Sequence, residues 1–177
     1  MDNLQPTTSP KLWTTLNEIL QHGPCGQEPA YDGELSGFLL LKKNLGEDYG
    51  DDTPITLLRI LESNGPDDAI WALRCGMDER FARHLACDFA EHVLPMFEAK
   101  HPGDNSPRNT IEVSRRFADG NATAEELTAA WAAEWDALDA ARDAAWTAWA
   151  ARVAAGDAER EWQAQRLRER YEEFTNV

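Results

Sequence analysis

The sequence is poor in cysteine. Its three cysteines, Cys25, Cys75 and Cys87, are far apart, form no CxxC pair and are odd in number. A disulfide framework or a cysteine-rich zinc site needs cysteines in closely spaced sets, so the sequence favours neither. Free thiols are typical of a reducing compartment, which predicts a cytoplasmic protein.

Long apolar runs are also missing. No segment approaches the roughly 20 apolar residues that a membrane-spanning helix requires. Met1–Pro10 lacks the basic and apolar regions of a secretory signal peptide. We therefore expect neither membrane insertion nor export. Hydrophobic residues still make up 42% of the 177 residues, which is enough for one domain with a sizeable core.

Basic residues are outnumbered almost two to one. The chain has 17 Lys and Arg against 32 Asp and Glu, a net charge of −15. Residues 1–88 hold 15 acidic and 7 basic side chains and residues 89–177 hold 17 and 10, so the charge is spread evenly. Such a field opposes contact with nucleic acid or anionic lipid and favours encounter with basic proteins. Solubility alone is the other explanation of the charge.

Catalytic signatures are absent. The chain contains no GxSxG, HExxH or Walker sequence, so we expect no enzyme, no catalytic residue, no bound metal and no cofactor. One alternative is a metal-dependent enzyme that uses His84, Asp88 and His92, which follow one another at helical spacing of four residues. The helical pattern instead predicts that these three lie on a solvated polar face, and a zinc site would need further ligands.

Helix signals dominate what is present. They predict an all-α protein, an irregular multi-helix domain with a long Ala/Trp-rich C-terminal helix or helical hairpin. We expect a helical region over 1–120 and the C-terminal helices over 121–177, in one domain overall. Ser9 and Pro10 predict the start of the first helix, and Phe38–Leu41 suits either a helix or a buried strand. Gly120 is the predicted left-handed cap of a helix that begins near Arg108. A longer helix from Glu79 carries the expected core face, namely Phe81, Leu85, Phe89, Val93 and Phe97 with the alanines Ala82, Ala86 and Ala90 beside them.

The most unusual feature is a stripe of tryptophans. Thr123 and Glu126 form a capping box, and after it large residues recur at spacings that keep them on one helical face: Leu127, Trp131, Trp135, Leu138, Arg142, Trp146, Trp149 and Val153. The favoured interpretation is a buried stripe packed on the Phe81–Phe97 helix. The alternative is a surface for a partner or a second copy, which makes a homodimer a further hypothesis.

An acidic turn follows Phe38–Leu41, over Gly46–Pro54. It carries Glu47, Asp48, Asp51 and Asp52 but lacks the ligand pattern of an EF-hand, which indicates a solvated loop without calcium. These four residues and Arg142 of the tryptophan stripe are the predicted partner-binding residues, with a basic toxin or nuclease as the expected partner.

The second half of the chain resembles a known family. The segments VLPMFE at Val93–Glu98 and SPRNTIE at Ser106–Glu112, with the alanine-rich tract after Gly120, are similar to immunity proteins of bacterial polymorphic-toxin systems over residues 86–150. Proteins of similar appearance occur in phages and prophages. The resemblance implies a small helical protein that neutralises a cognate toxin by binding it. The similarity to phage and prophage proteins implies an alternative, a counter-defence protein of the anti-CRISPR type that mimics nucleic-acid charge.

Overall fold

The computed structural model describes residues 9–24, 36–130 and 156–176. Helices dominate these residues, and the strands among them form one two-residue antiparallel pair, which confirms the all-α class. No helix in these ranges is long and apolar enough to span a membrane. The elements in chain order are β1 (Trp13–Thr14), α1 (Leu16–Gln21), α2 (Gly37–Leu45), β2 (Ile55–Thr56), α3 (Leu57–Asn64), α4 (Pro66–Ala72), α5 (Glu79–Lys100), α6 (Ser106–Ala118), α7 (124–130 as far as described) and α8 (Gly156–Thr175).

Several predictions concern residues outside these ranges. The four tryptophans of the stripe and its arginine lie outside the described residues, so the packing of the stripe and the predicted hairpin stay predictions; these residues are Trp131, Trp135, Arg142, Trp146 and Trp149. Cys25 lies outside them as well. The expected division at residue 120 into two regions of one domain also stays a prediction.

The chain forms two compact units. Unit 1 comprises Met1–Asp78 with Leu167–Val177, and unit 2 comprises Glu79–Arg166. In unit 1, β1 pairs with β2 in the register Trp13 to Thr56 and Thr14 to Ile55. The first helix therefore begins later than Ser9 and Pro10 predict, because residues 13 and 14 are extended in this pair.

Thr15 is the actual N-cap of α1. Its hydroxyl accepts a hydrogen bond from the backbone N–H of Glu18 at 3.1 Å. Thr56 caps α3 in the same way through the N–H of Arg59. A threonine cap satisfies one of the backbone donors that every helix leaves unpaired in its first turn. Both helices consequently start directly after the strand pair.

The core of unit 1 is apolar. Its helices are short, and each contributes buried aliphatic residues from one face, as amphipathic helices do. Phe38–Leu41 is helical, which decides the helix-or-strand alternative in favour of a helix. The buried apolar residues between positions 12 and 77 are Leu12, Leu16, Ile19, Leu41, Ile55, Leu57, Ile60, Leu61, Ala69, Ala72, Cys75 and Met77.

In unit 2, α5 buries a different face from the one predicted. Phe81 and Leu85 are buried as expected, but Val93 is 42% exposed, and the alanines at positions 86 and 90 are exposed as well. Because each step of four residues rotates about 40° around an α-helix, a run with strict spacing of four drifts off any single face. The predicted face therefore turns from the interior to the surface along α5.

The turn after α6 has the conformation that its local sequence predicts. Gly120 has a positive φ of 72°, as its predicted role of left-handed cap requires. The capping box is confirmed: the backbone N–H of Glu126 donates to the Thr123 hydroxyl at 3.2 Å, and the N–H of Thr123 donates to the Glu126 carboxylate at 2.7 Å. α7 then packs on α6 through a small apolar cluster of Val113, Leu127 and Ala130.

Candidate functional site

Asp88 is a buried charge at the centre of unit 2. Its side chain is 5% exposed, and each of its carboxylate oxygens has an arginine partner at 2.9 Å. Arg115 of α6 binds Oδ1, and Arg166 of α8 binds Oδ2. A buried carboxylate is costly unless it is paired and hydrogen-bonded. The two arginines therefore tie α6 and the first half of α8 to the middle of α5.

An open cleft of about 310 Å³ surrounds this network. On one side Arg115 also binds the half-exposed carboxylate of Glu91 at 2.6 Å. On the other side His92 stacks on Trp162, with ring centroids 3.6 Å apart, and its Nε2 lies 3.2 Å from Glu159. The cleft thus presents the Glu91 carboxylate, two partly exposed guanidinium groups and an aromatic stack to solvent, while the Asp88 carboxylate is buried.

His84 belongs to a second charged group. Its Nε2 lies 3.0 Å from Oδ1 of Asp119, and that oxygen also accepts two hydrogen bonds from Arg80, at 3.0 and 2.7 Å. The guanidinium group of Arg80, followed by the contact with His84, holds the pKa of Asp119 below its usual range. These contacts join the first turns of α5 to the end of α6.

The three residues of the metal hypothesis therefore have separate roles. His84 faces Asp119, Asp88 is held by two arginines, and His92 faces Glu159. In the described ranges no set of three His, Cys, Asp or Glu side chains is arranged to hold a metal ion. The predicted solvated face was also wrong for two of them, because His84 and Asp88 are 7% and 6% exposed. Their polar contacts with Asp119, Arg115 and Arg166 make that burial tolerable.

The predicted acidic turn is an exposed, ordered loop of unit 1. Its carboxylates, on Glu47, Asp48, Asp51 and Asp52, all belong to exposed residues. Two tight turns shape the loop, with backbone bonds from Tyr49 N–H to the Gly46 carbonyl and from Thr53 N–H to the Gly50 carbonyl. Asn17 of α1 donates to the Asp52 carboxylate at 2.7 Å and anchors the loop. The loop thus displays negative charge from a fixed backbone.

Sequence reasoning missed the arginines and the tryptophan of the cleft. Arg115, Arg166 and Trp162 come from two helices, and Arg166 lies 78 residues from its partner Asp88. A carboxylate in a helical pattern needs a cationic partner only if it is buried, and the sequence does not show whether it is. The sequence offers 17 candidates for that cation and no means of choosing among them.

Two of the three cysteines lie in the described residues. Cys75 and Cys87 are both buried. Burial raises the pKa of the Cys75 thiol to about 11, so this residue stays protonated at neutral pH.

Taken together, the described residues define an all-α protein with an exposed acidic loop in one unit and a charged cleft in the other. Residues 79–156, a little under half of the chain, match the family model described as "Imm-5 like putative immunity protein". The match starts at the first residue of unit 2 and contains the whole segment in which the resemblance to immunity proteins was recognised. No curated protein and no solved structure matches the chain.

Proposed function

We propose that this protein is a non-enzymatic immunity-type inhibitor that binds and neutralises a basic effector protein in the cytoplasm. The observation that carries the proposal is the family match over residues 79–156, which falls on a compact structural unit. An immunity role requires binding to a toxin and no chemistry. The net charge of −15 indicates that the effector is basic, either a toxin or a defence nuclease.

The acidic loop is the proposed first contact with that effector. Glu47, Asp48, Asp51 and Asp52 lie exposed on a backbone fixed by turns, so little conformational entropy is lost when they bind. Exposed charges of one sign speed the encounter with a cationic surface and make binding weaker as salt rises. Arg142 is the fifth proposed contact residue.

Growth rescue tests the function itself. The partner to test is a candidate toxin domain from the gene neighbourhood: bacteria that express it should stop growing, and co-expression of this chain should restore growth. The purified proteins should form a complex whose Kd weakens as salt is raised from about 50 to 500 mM. Failure of rescue together with absence of a complex at low salt would overturn the proposal.

A pair of charge-matched variants tests the loop. Glu47→Gln with Asp48→Asn removes two negative charges from the loop, and Glu62→Gln with Glu172→Gln removes two from other exposed positions of unit 1. We expect the loop pair to slow association about tenfold and the control pair to change it less than about twofold. Equal effects would mean that net charge acts without a docking site.

A further inference from the structure

An apolar face of α5 lies open to solvent. In the described structure Val93 and Met96 are 42% and 41% exposed, and Ala86 and Ala90 are exposed beside them. Phe89 and Phe97, at the same side of the helix, are half-buried, and the Phe89 ring also contacts Trp162 edge-on, with ring centroids 5.8 Å apart. This is the reverse of the usual pattern, because the opposite face of α5 buries His84 and Asp88. Contiguous exposed apolar surface on a protein rimmed by charge indicates an interaction site.

The residues of this face are arranged symmetrically about the middle of α5. The midpoint of the helix lies between Phe89 and Ala90. At equal distances on its two sides, three alanines correspond to large apolar residues: Ala90 to Phe89, Ala86 to Val93, and Ala82 to Phe97. Met96 corresponds to Arg83. Two antiparallel copies of α5 would therefore place the side chains of Phe89, Val93 and Phe97 against alanines.

The charges at the ends of the face obey the same symmetry. Glu79, whose side chain is 89% exposed, and Lys100, which is also exposed, are the first and last residues of α5. An antiparallel pair would bring Glu79 of one copy beside Lys100 of the other, twice per dimer. Like charges would meet if the copies ran parallel, so the charges select the antiparallel arrangement.

We propose that this face of α5 pairs with the same face of a second copy of the chain, in a two-fold symmetric antiparallel dimer. Large-against-small packing lets two helices approach closely, and an isologous contact closes at two copies. One helix pair buries less than the roughly 1,200 to 2,000 Å² of a standard stable interface. The dimer should accordingly dissociate with a Kd on the order of 10 μM.

Sedimentation equilibrium of the full chain between about 1 and 500 μM tests the dimer. We expect a monomer–dimer transition within this range, and Val93→Glu should weaken it at least tenfold by burying a charge at the contact. A chain that stays monomeric to the highest concentration would overturn the proposal and favour the alternative, in which the tryptophan stripe of the same chain covers this face. Assembly beyond two copies would also overturn it.

A charge swap tests the symmetry without relying on a destabilising substitution. Glu79→Lys and Lys100→Glu should each weaken the dimer about tenfold, because each places like charges together twice. The double variant should restore the wild-type Kd to within about threefold. Circular dichroism checks that α5 persists, since both changes oppose the helix dipole. Glu62→Lys is the control and should leave the Kd unchanged. Failure of the double variant to restore the wild-type Kd would contradict the antiparallel pairing. Effector binding is measured in a separate experiment, so that the dimer and the proposed function are tested independently.

Discussion

Each of the two units of the molecule is stabilised internally by a different kind of interaction. Unit 1 buries aliphatic side chains from several short helices, and its charged groups lie mainly at the surface. Unit 2 has a carboxylate near its centre, and Arg115 and Arg166 hold it from two other helices. Apolar packing is insensitive to direction, whereas an ion pair works only in one geometry. Unit 2 thereby gains a defined arrangement of α5, α6 and α8, and a charged cleft results from it.

The largest expected effect concerns the apolar unit. Leu57 is completely buried, so Leu57→Ala should lower the free energy of unfolding by about 3 kcal/mol through lost burial and a residual cavity. Leu20 is 38% exposed, and Leu20→Ala should cost about 0.5 kcal/mol or less. Urea denaturation measures both. Similar losses for the two variants would contradict a core centred on Leu57.

The next effect concerns the charged unit. Asp88→Asn keeps the shape of the side chain but removes the buried negative charge that Arg115 and Arg166 both bind. We expect a loss of about 2 kcal/mol, less than for a fully buried pair because the arginines are partly exposed. Hydrogen exchange should show it in α5, α6 and the first half of α8. Glu91→Gln, which removes a half-exposed partner of Arg115, should cost about 0.5 kcal/mol. Equal losses would show that burial of Asp88 is unimportant.

Threonine N-caps stabilise a helix in each of the two units. Thr15→Ala in unit 1 and Thr123→Ala in unit 2 should each cost about 1 kcal/mol, because each leaves a backbone N–H of the first turn without its acceptor. Serine at either position keeps the hydroxyl and should recover most of the loss. Thermal denaturation of the four variants checks this. A serine variant as unstable as its alanine counterpart would exclude the cap as the cause.

The smallest expected effect is a loss of stability at acidic pH. The pKa of Glu18 in unit 1 is lowered chiefly by Lys11, and that of Asp119 in unit 2 chiefly by Arg80. A carboxyl whose folded pKa is depressed adds stability above its unfolded pKa of about 4 and loses it as the pH falls through the folded value. We expect less than about 1 kcal/mol from each. Asp119→Asn should flatten the acid dependence of exchange in unit 2 alone, and an unchanged acid dependence there would refute the assignment.

Much of the secondary structure could be predicted because its causes are local. Gly120 and the Thr123–Glu126 capping box act over a few residues, and both appear where the sequence placed them. The Thr15 cap was missed although Thr15 and Glu18 have the spacing of a capping box. Ser9 and Pro10 gave a competing signal, and only the pairing of β1 with β2 decided between them.

The sequence by itself determined the helical class, the Thr123 capping box, the Gly120 turn and the exposed acidic loop, since each depends on neighbouring residues and on charge. The tertiary structure alone decided which face of α5 is buried. Spacing favoured the face with Phe89 and Val93, but Asp88 and His84 turn inward because Arg115, Arg166 and Asp119 meet them there. A buried charge is stable only where distant segments supply its counter-charges. No local pattern contains that information.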